Sequence, residues 1–533
     1  MDVRRKYVFA LLAIGMALFL FNLGGRDLWE PDETRYAVVA REMIQSGDWI
    51  LPHFNGEIYA EKPPLFFWLV NLSTFFLGEN SELANRLPSA LAGLMTLFVT
   101  FLFGEKLFNL RIGFLSAMVL ATCILFPQLS RWMMLDSLFT LFLLLSLFCF
   151  YLGYEEEGRR RKYYFLASLF MGLGVLTKGP IGYLSLPIIL IFAFFQKDIK
   201  KLWNRDLLWG CLLSLILVLM WWVPACWIGG KEYIYWLLFK QAIGTYVEGG
   251  RHFHPEPFYF YFIRFPIEFF PWIVFLPTAF IFGLRKGWGK RKEFLFLSIW
   301  FFFIFLFFTL SKGKKDNYLL PLYPAAAMMV GSLWDFGVQS GEGKKGFLSG
   351  LLLLTFLFLA GLVLLLSKMP QQSYPDMRAY SSLGLSILSY ILLGSFFSLL
   401  FFIKKKKQAS FISLMIAFAL FHLHLSYSLP PKLNPQRSAK AFSEKVLKRM
   451  EMGDELKTYS LKSNGLLFYT KKPYIESIQS KDRFFEILNS SQRVFVVFYP
   501  EVLNQLQKET GVEFTPLEQV KVGHWKYVLI SNH

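Results

Sequence analysis

Apolar runs of about 20 residues recur along this chain from Tyr7 to His424, and they restrict its fold more than any other feature. A run of that length forms a helix that can cross the hydrocarbon core of a membrane. Only 18% of the 533 residues are charged, whereas soluble proteins have about 25%. The sequence therefore predicts a polytopic α-helical membrane protein. About thirteen transmembrane helices are expected, near residues 7–23, 87–103, 112–127, 137–153, 163–177, 180–196, 207–228, 267–284, 293–310, 317–335, 348–367, 380–402 and 409–427.

The basic residues indicate membrane topology and not nucleic-acid binding. The formal net charge is +18, but the basic residues form short clusters between apolar runs, which follows the positive-inside rule. With the N-terminus inside, the inner clusters lie near residues 106–111, 159–162, 197–205, 285–292, 344–345 and 404–407. The apolar segment 64–77 is short for a span, and counting it as one would put the cluster at 404–407 outside. We interpret it as an interfacial or re-entrant helix.

The two ends of the chain carry different predictions. Small residues suited to signal cleavage are missing near the end of the first apolar run, so we expect a retained first helix. An odd number of spans puts the C-terminal region outside. Its helical patterns (SAKAFSEKVLKRM, PEVLNQLQKE) and strand-like patterns (VFVVFYP, WKYVLIS) predict a small α/β domain. The expected division is a transmembrane domain at 1–430, with its first extracytoplasmic loop at 24–86, and a soluble extracytoplasmic domain at 431–533, which is a structural or acceptor-docking cap.

The stretch at residues 27–65 combines carboxylates, Arg, Lys, Tyr, Trp and His in an otherwise apolar protein. Pro31, Asp32 and Glu33 predict a helix start, because proline and acidic residues suit the first turn. That explanation requires no catalysis. Lys62 precedes two prolines and is expected in extended backbone. It is either an interfacial lysine or a fixed cation for a phosphate at the membrane surface.

Four segments carry a resemblance to a known family. LWEPDETRYAVVAREM, GDWILPHFNGEIYAEKPPLFFWL, GVLTKGPIG and SKGKKDNYLLPLYPAAA resemble the aminoarabinose transferases. These are bacterial membrane glycosyltransferases of GT-C architecture, related to protein O-mannosyltransferases. The resemblance implies inverting transfer of aminoarabinose or a related sugar from a polyprenyl-phosphate carrier to lipid A or another envelope glycolipid. It implies a multi-pass protein of the bacterial inner membrane, with the active site and C-terminal domain on the periplasmic side.

The same resemblance assigns site residues. It implies that Asp32 is the catalytic carboxylate. The residues implied at the substrates are Arg35, Tyr59, Glu61, Lys62, Lys178, Arg251 and Tyr318. The stretch 27–65 would then be one wall of a composite site that faces the residues from later outer loops.

Elementary chemistry agrees with these roles. A polyprenyl phosphate leaves readily only if its growing negative charge is stabilised, and Lys62, Arg251, Lys178, Arg35 or Lys314 could do so. Asp32 would act as general base towards a hydroxyl acceptor. Towards an ionised phosphate of lipid A, it would orient the acceptor or stabilise positive charge on the sugar. Asp136, at a span end, is either an interfacial charge or a carboxylate near the sugar.

No cofactor is required by these motifs, and a nucleotide-binding signature is missing. His252 and His254 are either solvated loop residues or metal ligands. Glu61 with His254 could hold a divalent ion such as zinc. Two other functions stay open: transfer to Ser or Thr of proteins, and transport of lipids or lipid-linked sugars. The polar residues concentrate in outer loops and no internal repeat stands out, which disfavours a transporter.

Overall fold

The structure, a computed structural model, describes residues 2–202, 205–237, 255–285, 291–337, 341, 343–366, 381–461, 463–522 and 525–532. The chain forms two compact units. The helical unit comprises Met1–Phe21, Ala60–Phe66 and Leu87–Tyr427. The loop unit comprises Asn22–Tyr59, Phe67–Arg86 and Ser428–His533.

Helices form most of the described chain. In order they are α1 (Val3–Phe19), α2 (Asp32–Ser46), α3 (Leu65–Leu77), α4 (Glu82–Leu107), α5 (Leu110–Thr122), α6 (Leu125–Ser130), α7 (Leu135–Glu155), α8 (Arg160–Lys178), α9 (Ser185–Phe195), α10 (Ile199–Leu202), α11 (Arg205–Tyr235), α12 (Phe260–Glu268), α13 (Leu276–Arg285), α14 (Lys292–Leu310), α15 (Tyr323–Ser332), α16 (Lys344–Leu366), α17 (Ser381–Ile403), α18 (Lys407–Ser428), α19 (Pro430–Arg437), α20 (Lys440–Arg449), α21 (Asn464–Thr470), α22 (Lys481–Leu488) and α23 (Pro500–Thr510). The strands are β1 (His53–Phe54), β2 (Glu57–Ile58), β3 (Glu455–Tyr459), β4 (Glu476–Ile478), β5 (Val494–Phe498), β6 (Glu518–Val522) and β7 (Trp525–Ser531).

Not every apolar run that the sequence predicts as a span forms one long helix in the described part of the chain. Among the described residues, seven are long and apolar enough: α4, α7, α11, α14, α16, α17 (over Leu383–Ile403) and α18. A pair bent by 107°, α12 with Trp272–Leu284, could make an eighth, and the expected thirteen are not confirmed. The run near 317–335 shows why. It starts as a 3₁₀ helix at Asp316–Leu322, and the ten residues of α15 that follow are all buried in protein. Broken backbone is tolerated at membrane depth when protein surrounds it.

The basic loops that the sequence predicts on the inner side of the membrane meet at one end of the helical unit. At one end of α7, Lys292 Nζ lies 2.5 Å from Glu155, and Lys106 Nζ lies 2.7 Å from Glu156. Arg4 also pairs there with Glu105, at 3.2 Å. These contacts join the N-terminus to three of the basic loops predicted inside. The loops predicted outside meet at the other end of α7, as described below.

The loop unit contains a five-stranded sheet of order β4-β3-β5-β7-β6. Strands β4 and β5 pair parallel to β3, and β7 pairs antiparallel to both β5 and β6. The strands predicted from VFVVFYP and WKYVLIS, now β5 and β7, are therefore neighbours. Phe484, Val496 and Phe498 are among the apolar side chains of the sheet's core.

Helix α2 packs inside this unit. Ten of its 15 residues are buried. The Arg41 guanidinium donates to the backbone carbonyls of Leu467, Phe468 and Lys472. The side chain of Asn55 exchanges two 2.9 Å hydrogen bonds with the backbone of Ile475. The first outer loop is therefore bonded to the C-terminal segment, and the predicted domain boundary at residue 430 stays a prediction.

Candidate active site

Asp32 and Arg35 form an ion pair at the start of α2. The helix begins at Asp32, directly after Pro31, and Arg35 follows within the first turn. Arg35 Nη2 donates to Asp32 Oδ1 at 2.5 Å, and the two side chains are 24% and 26% exposed. The pair thus holds a carboxylate in a fixed orientation and leaves it open to solvent. Such a group can accept a proton or stabilise a developing cation.

The neighbouring acid, Glu33, is instead enclosed by arginines. Its carboxylate lies 2.7 Å from Arg26 Nη1 and 2.8 Å from Arg86 Nε, and the Trp29 N–H donates to it at 3.0 Å. Arg86 is completely buried and also donates to backbone carbonyls of residues 23–27. Burial alone would raise the pKa of Glu33, but the two guanidinium groups lower that pKa from 4.5 to about 2. Glu33 therefore stabilises the first outer loop, and Asp32 is the accessible acid of the two.

We expect Glu33→Gln to destabilise the folded protein by about 3 kcal/mol near neutral pH, because two buried arginines lose their counter-ion. The folded-state pKa of Glu33 is depressed, so its contribution is complete above about pH 4.5 and is lost as the pH falls towards 2. Thermal unfolding of the detergent-solubilised protein over this range measures the effect. The wild-type midpoint should approach that of the variant in acid. Equal midpoints near neutral pH would contradict this role.

Glu61 and Lys62 lie in the irregular turn that the sequence predicts. Both are partly exposed, and α3 begins at Leu65, directly after the two prolines. Pro63 disfavours helical backbone at Lys62. Lys62 therefore lies in irregular backbone directly before the prolines that precede α3, as the sequence predicts.

Tyr59 is more enclosed than its neighbours. Its side chain belongs to the buried core, at 6% exposure, and its ring lies 6.1 Å from that of Phe67 in an edge-to-face arrangement. Its backbone N–H donates to the Pro52 carbonyl at 2.8 Å. The structure thus gives Tyr59 a packing role, and its predicted contact with substrate stays a prediction.

A second cluster forms in the helical unit around Asp136. Asp136 lies in the first turn of α7, and Lys178 is the last residue of α8. Lys178 Nζ donates to Asp136 Oδ1 and lies 4.9 Å from the centre of the Tyr318 ring. Asn317 Nδ2 donates to the second oxygen, Asp136 Oδ2, at 2.7 Å. The structure therefore brings together Asp136, Lys178 and Tyr318, which the sequence analysis proposed from three separate loops.

The charges of this second cluster compensate each other. The side chains of Asp136 and Lys178 are only 4% and 8% exposed. A buried lysine that is paired with a carboxylate contributes hydrogen bonds but no net charge. Lys178 is thus better suited to orient a ligand than to neutralise one.

Sequence reasoning missed Asn317 and Arg86. Asn317 stands next to Tyr318 in the DNYLLP motif, so its position was a signal that went unused. Arg86 lies 53 residues from Glu33. No local pattern in the sequence links these two residues.

In the basic segment SKGKKDN, Lys314 and Asp316 are bonded to the protein itself. Lys314 is 4% exposed, and its ammonium donates to the backbone carbonyls of Glu256 and Ser311. Asp316 is bonded to Arg264, whose Nε lies 2.8 Å away. Two of the three N–H donors of the Lys314 ammonium are therefore used by its own chain, and its predicted support of a donor phosphate stays a prediction.

Three predicted ligands, Arg251, His252 and His254, lie outside the described residues. Within the described ranges, no group of three or more His, Cys, Asp or Glu side chains could hold a metal ion. Glu61 by itself does not make a zinc site.

The two sets of residues belong to different units, and each is described by itself. Asp32, Arg35 and Tyr59 are in the loop unit; Glu61, Lys62, Asp136, Lys178 and Tyr318 are in the helical unit. Their predicted meeting in one composite site stays a prediction.

Comparison with known proteins assigns the family. Residues 61–223 match the family model described as dolichyl-phosphate-mannose-protein mannosyltransferase. An undecaprenyl phosphate-α-4-amino-4-deoxy-L-arabinose arabinosyl transferase of Edwardsiella ictaluri is 32% identical over 400 residues, which cover 72% of this chain and 70% of the relative. The chain belongs to the aminoarabinose transferase family. It is a multi-pass membrane glycosyltransferase.

Two solved structures share the fold of this chain. ArnT from Cupriavidus metallidurans, bound to undecaprenyl phosphate, matches with a TM-score of 0.82 over 99% of this chain and 98% of that one, at 20% identity. The archaeal oligosaccharyltransferase AglB from Archaeoglobus fulgidus matches with a TM-score of 0.52 over 95% and 70%, at 13% identity. These matches confirm the GT-C fold that the sequence resemblance implied.

Proposed function

We propose that this protein transfers aminoarabinose, or a related sugar, from a polyprenyl-phosphate carrier to lipid A, with inversion at the anomeric carbon. The reaction would take place on the periplasmic face of the bacterial inner membrane, in a chain that crosses it thirteen times. The observation that carries the proposal is the accessible Asp32–Arg35 pair, held at 2.5 Å, in a chain of the aminoarabinose transferase family.

The names of the relatives and the cations of the candidate site both support a polyprenyl-phosphate donor. The Edwardsiella relative is named for undecaprenyl phosphate-linked aminoarabinose, and the Cupriavidus structure is described with undecaprenyl phosphate. Departure of the phosphate requires donors that meet its growing charge. Lys62 is our candidate for the principal cation, together with Arg251. Lys178, which Asp136 neutralises, would orient the sugar or the phosphate.

The acceptor decides what Asp32 does. If a hydroxyl attacks, Asp32 takes its proton as the bond to the anomeric carbon forms and the bond to the phosphate oxygen breaks. If a lipid A phosphate attacks, the nucleophile is already ionised, and Asp32 orients it or stabilises positive charge on the sugar. Both routes are single displacements, and both invert the anomeric centre.

Mass spectrometry of lipid A, from cells with and without this protein, tests the acceptor. Lipid A from cells that contain the protein should carry the additional sugar, and deletion should remove it. An unchanged lipid A profile would exclude lipid A as the acceptor.

A second candidate function is transfer to Ser or Thr of proteins. The match of residues 61–223 to the protein mannosyltransferase model favours it. Glycoproteomics on the envelope fraction of the same cells separates the two: sugar on proteins with unmodified lipid A would support this second function.

A further inference from the structure

The carboxylate of Glu30, two residues before Asp32, is held by the C-terminal segment. The Gly465 N–H donates to Glu30 Oε1 at 2.7 Å, and Ser463 Oγ lies 3.1 Å from the same oxygen. The Tyr527 hydroxyl donates to Glu30 Oε2 at 3.3 Å. Both oxygens of one side chain are thus occupied by groups more than 400 residues away in sequence.

The backbone beside Glu30 is held by the same segment. The Glu30 N–H donates to the Arg437 carbonyl at 3.4 Å. Asn464 Nδ2 donates to the Pro31 carbonyl at 2.9 Å. Three parts of the C-terminal segment, namely the end of α19, the start of α21 and strand β7, therefore converge on the two residues that precede α2.

Burial of the Glu30 carboxylate without a charged partner is a poor way to stabilise the fold. Burial raises the pKa of Glu30, and only neutral donors offset that burial. Among the described residues, no charged side chain is among the groups that shift the pKa of Glu30. A well-packed apolar residue would usually be as stable at such a position or more so, and buried polar groups in some proteins specify one conformation instead.

We propose that Glu30 is a positioning residue through which the C-terminal segment fixes the first turn of α2, and with it the Asp32–Arg35 pair. This inference rests on the proposed catalytic role of Asp32. It gives the C-terminal segment a part in the reaction: it holds the catalytic carboxylate in place without touching the substrates.

The expected effect is on turnover. A displacement of about 1 Å in a reacting group can cost about 10²-fold in rate. Glu30→Ala should therefore lower kcat by about 10- to 100-fold and leave the KM for the polyprenyl-phosphate donor unchanged. Glu30→Gln keeps an oxygen for Gly465 and Ser463 and should restore most of the activity.

Gly465→Ala disturbs the same contact from the opposite side. A Cβ on Gly465 would lie 2.5 Å from Glu30 Oε1 and 2.8 Å from the Ala439 Cβ, so the carboxylate and the chain beside it must shift. This variant should lower kcat in the same direction with Glu30 intact. Glu444→Gln, on an exposed position of α20, is the matched control and should behave like the wild type.

The experiment uses the full-length protein in proteoliposomes, with kcat and KM for the donor measured for all four variants. Hydrogen exchange of a peptide that spans residues 28–36 is measured in parallel. The thermal midpoint of each variant is also measured, and variants are compared with the wild type only where that midpoint is unchanged. Faster exchange there, lower kcat and rescue by Glu30→Gln are the expected results. Wild-type kcat in both Glu30→Ala and Gly465→Ala would overturn the proposal. So would an activity loss that only follows the loss of folded protein.

Asp32→Asn, measured beside these variants, separates this inference from the proposed function. If Asp32→Asn is inactive and Glu30→Ala is fully active, the positioning role alone fails. If Asp32→Asn is fully active, the proposed catalytic role fails, and the positioning role fails with it.

Discussion

Asp32→Asn is expected to reduce sugar transfer by about 10²- to 10⁴-fold, a range that covers the loss of a general base and the loss of one group that stabilises charge in the transition state. Asparagine keeps the size of the side chain and can still accept from Arg35, so α2 should keep its start. What it loses is the negative charge and the ability to take a proton. The measurement is the single-turnover rate of purified protein with saturating donor.

Glu57→Gln provides the control for this substitution. Glu57 is an exposed acid in strand β2 of the same stretch, and its replacement should leave transfer unchanged. The thermal midpoint of Asp32→Asn should stay close to that of the wild type, because the side chain is 26% exposed. Wild-type transfer by Asp32→Asn would mean that another group is the catalytic carboxylate.

Lys62→Gln is expected to lower the transfer rate by about 10²- to 10³-fold, the typical cost of losing one donor that stabilises a developing anion. Because the proposed partner is the leaving phosphate, the loss should appear mainly in kcat. A lysine that only anchors the chain at the membrane surface would change neither kcat nor KM.

The matched control is Lys448→Gln, which removes an exposed lysine of α20. It changes the net charge of the protein by the same amount. Comparable rates for Lys62→Gln and Lys448→Gln would assign Lys62 to the interface and not to the phosphate. A loss in Lys62→Gln alone supports its role in the departure of the phosphate.

Local patterns predicted the features that depend on neighbouring residues. The start of α2 at Asp32 follows from Pro31 and two acids, and β5 and β7 follow from their apolar, β-branched segments. Charge clusters predicted which loops meet: Asp136, Lys178 and Asn317 lie together, as the assignment of their loops to one side requires. These features needed no knowledge of the packing of the helices.

Features that depend on long-range packing were not predictable in this way. Asp136 and Asn317 are 181 residues apart, and Glu33 and Arg86 are 53 apart. Neither pair leaves a periodic signal. The count of thirteen spans stays a prediction for a similar reason, because hydropathy does not show that a run is broken by a 3₁₀ segment or, like α15, fully buried in protein.

The central claim is tested most directly by reconstituted transfer. Purified full-length protein in proteoliposomes is given undecaprenyl-phosphate-linked aminoarabinose and lipid A, with a Ser/Thr-containing polypeptide as the competing acceptor. Lipid A is expected to gain one sugar for each undecaprenyl phosphate released, and Asp32→Asn is expected to form both products far more slowly than the wild type. Transfer to the polypeptide with unmodified lipid A, or an intact donor in the presence of folded protein, would contradict it.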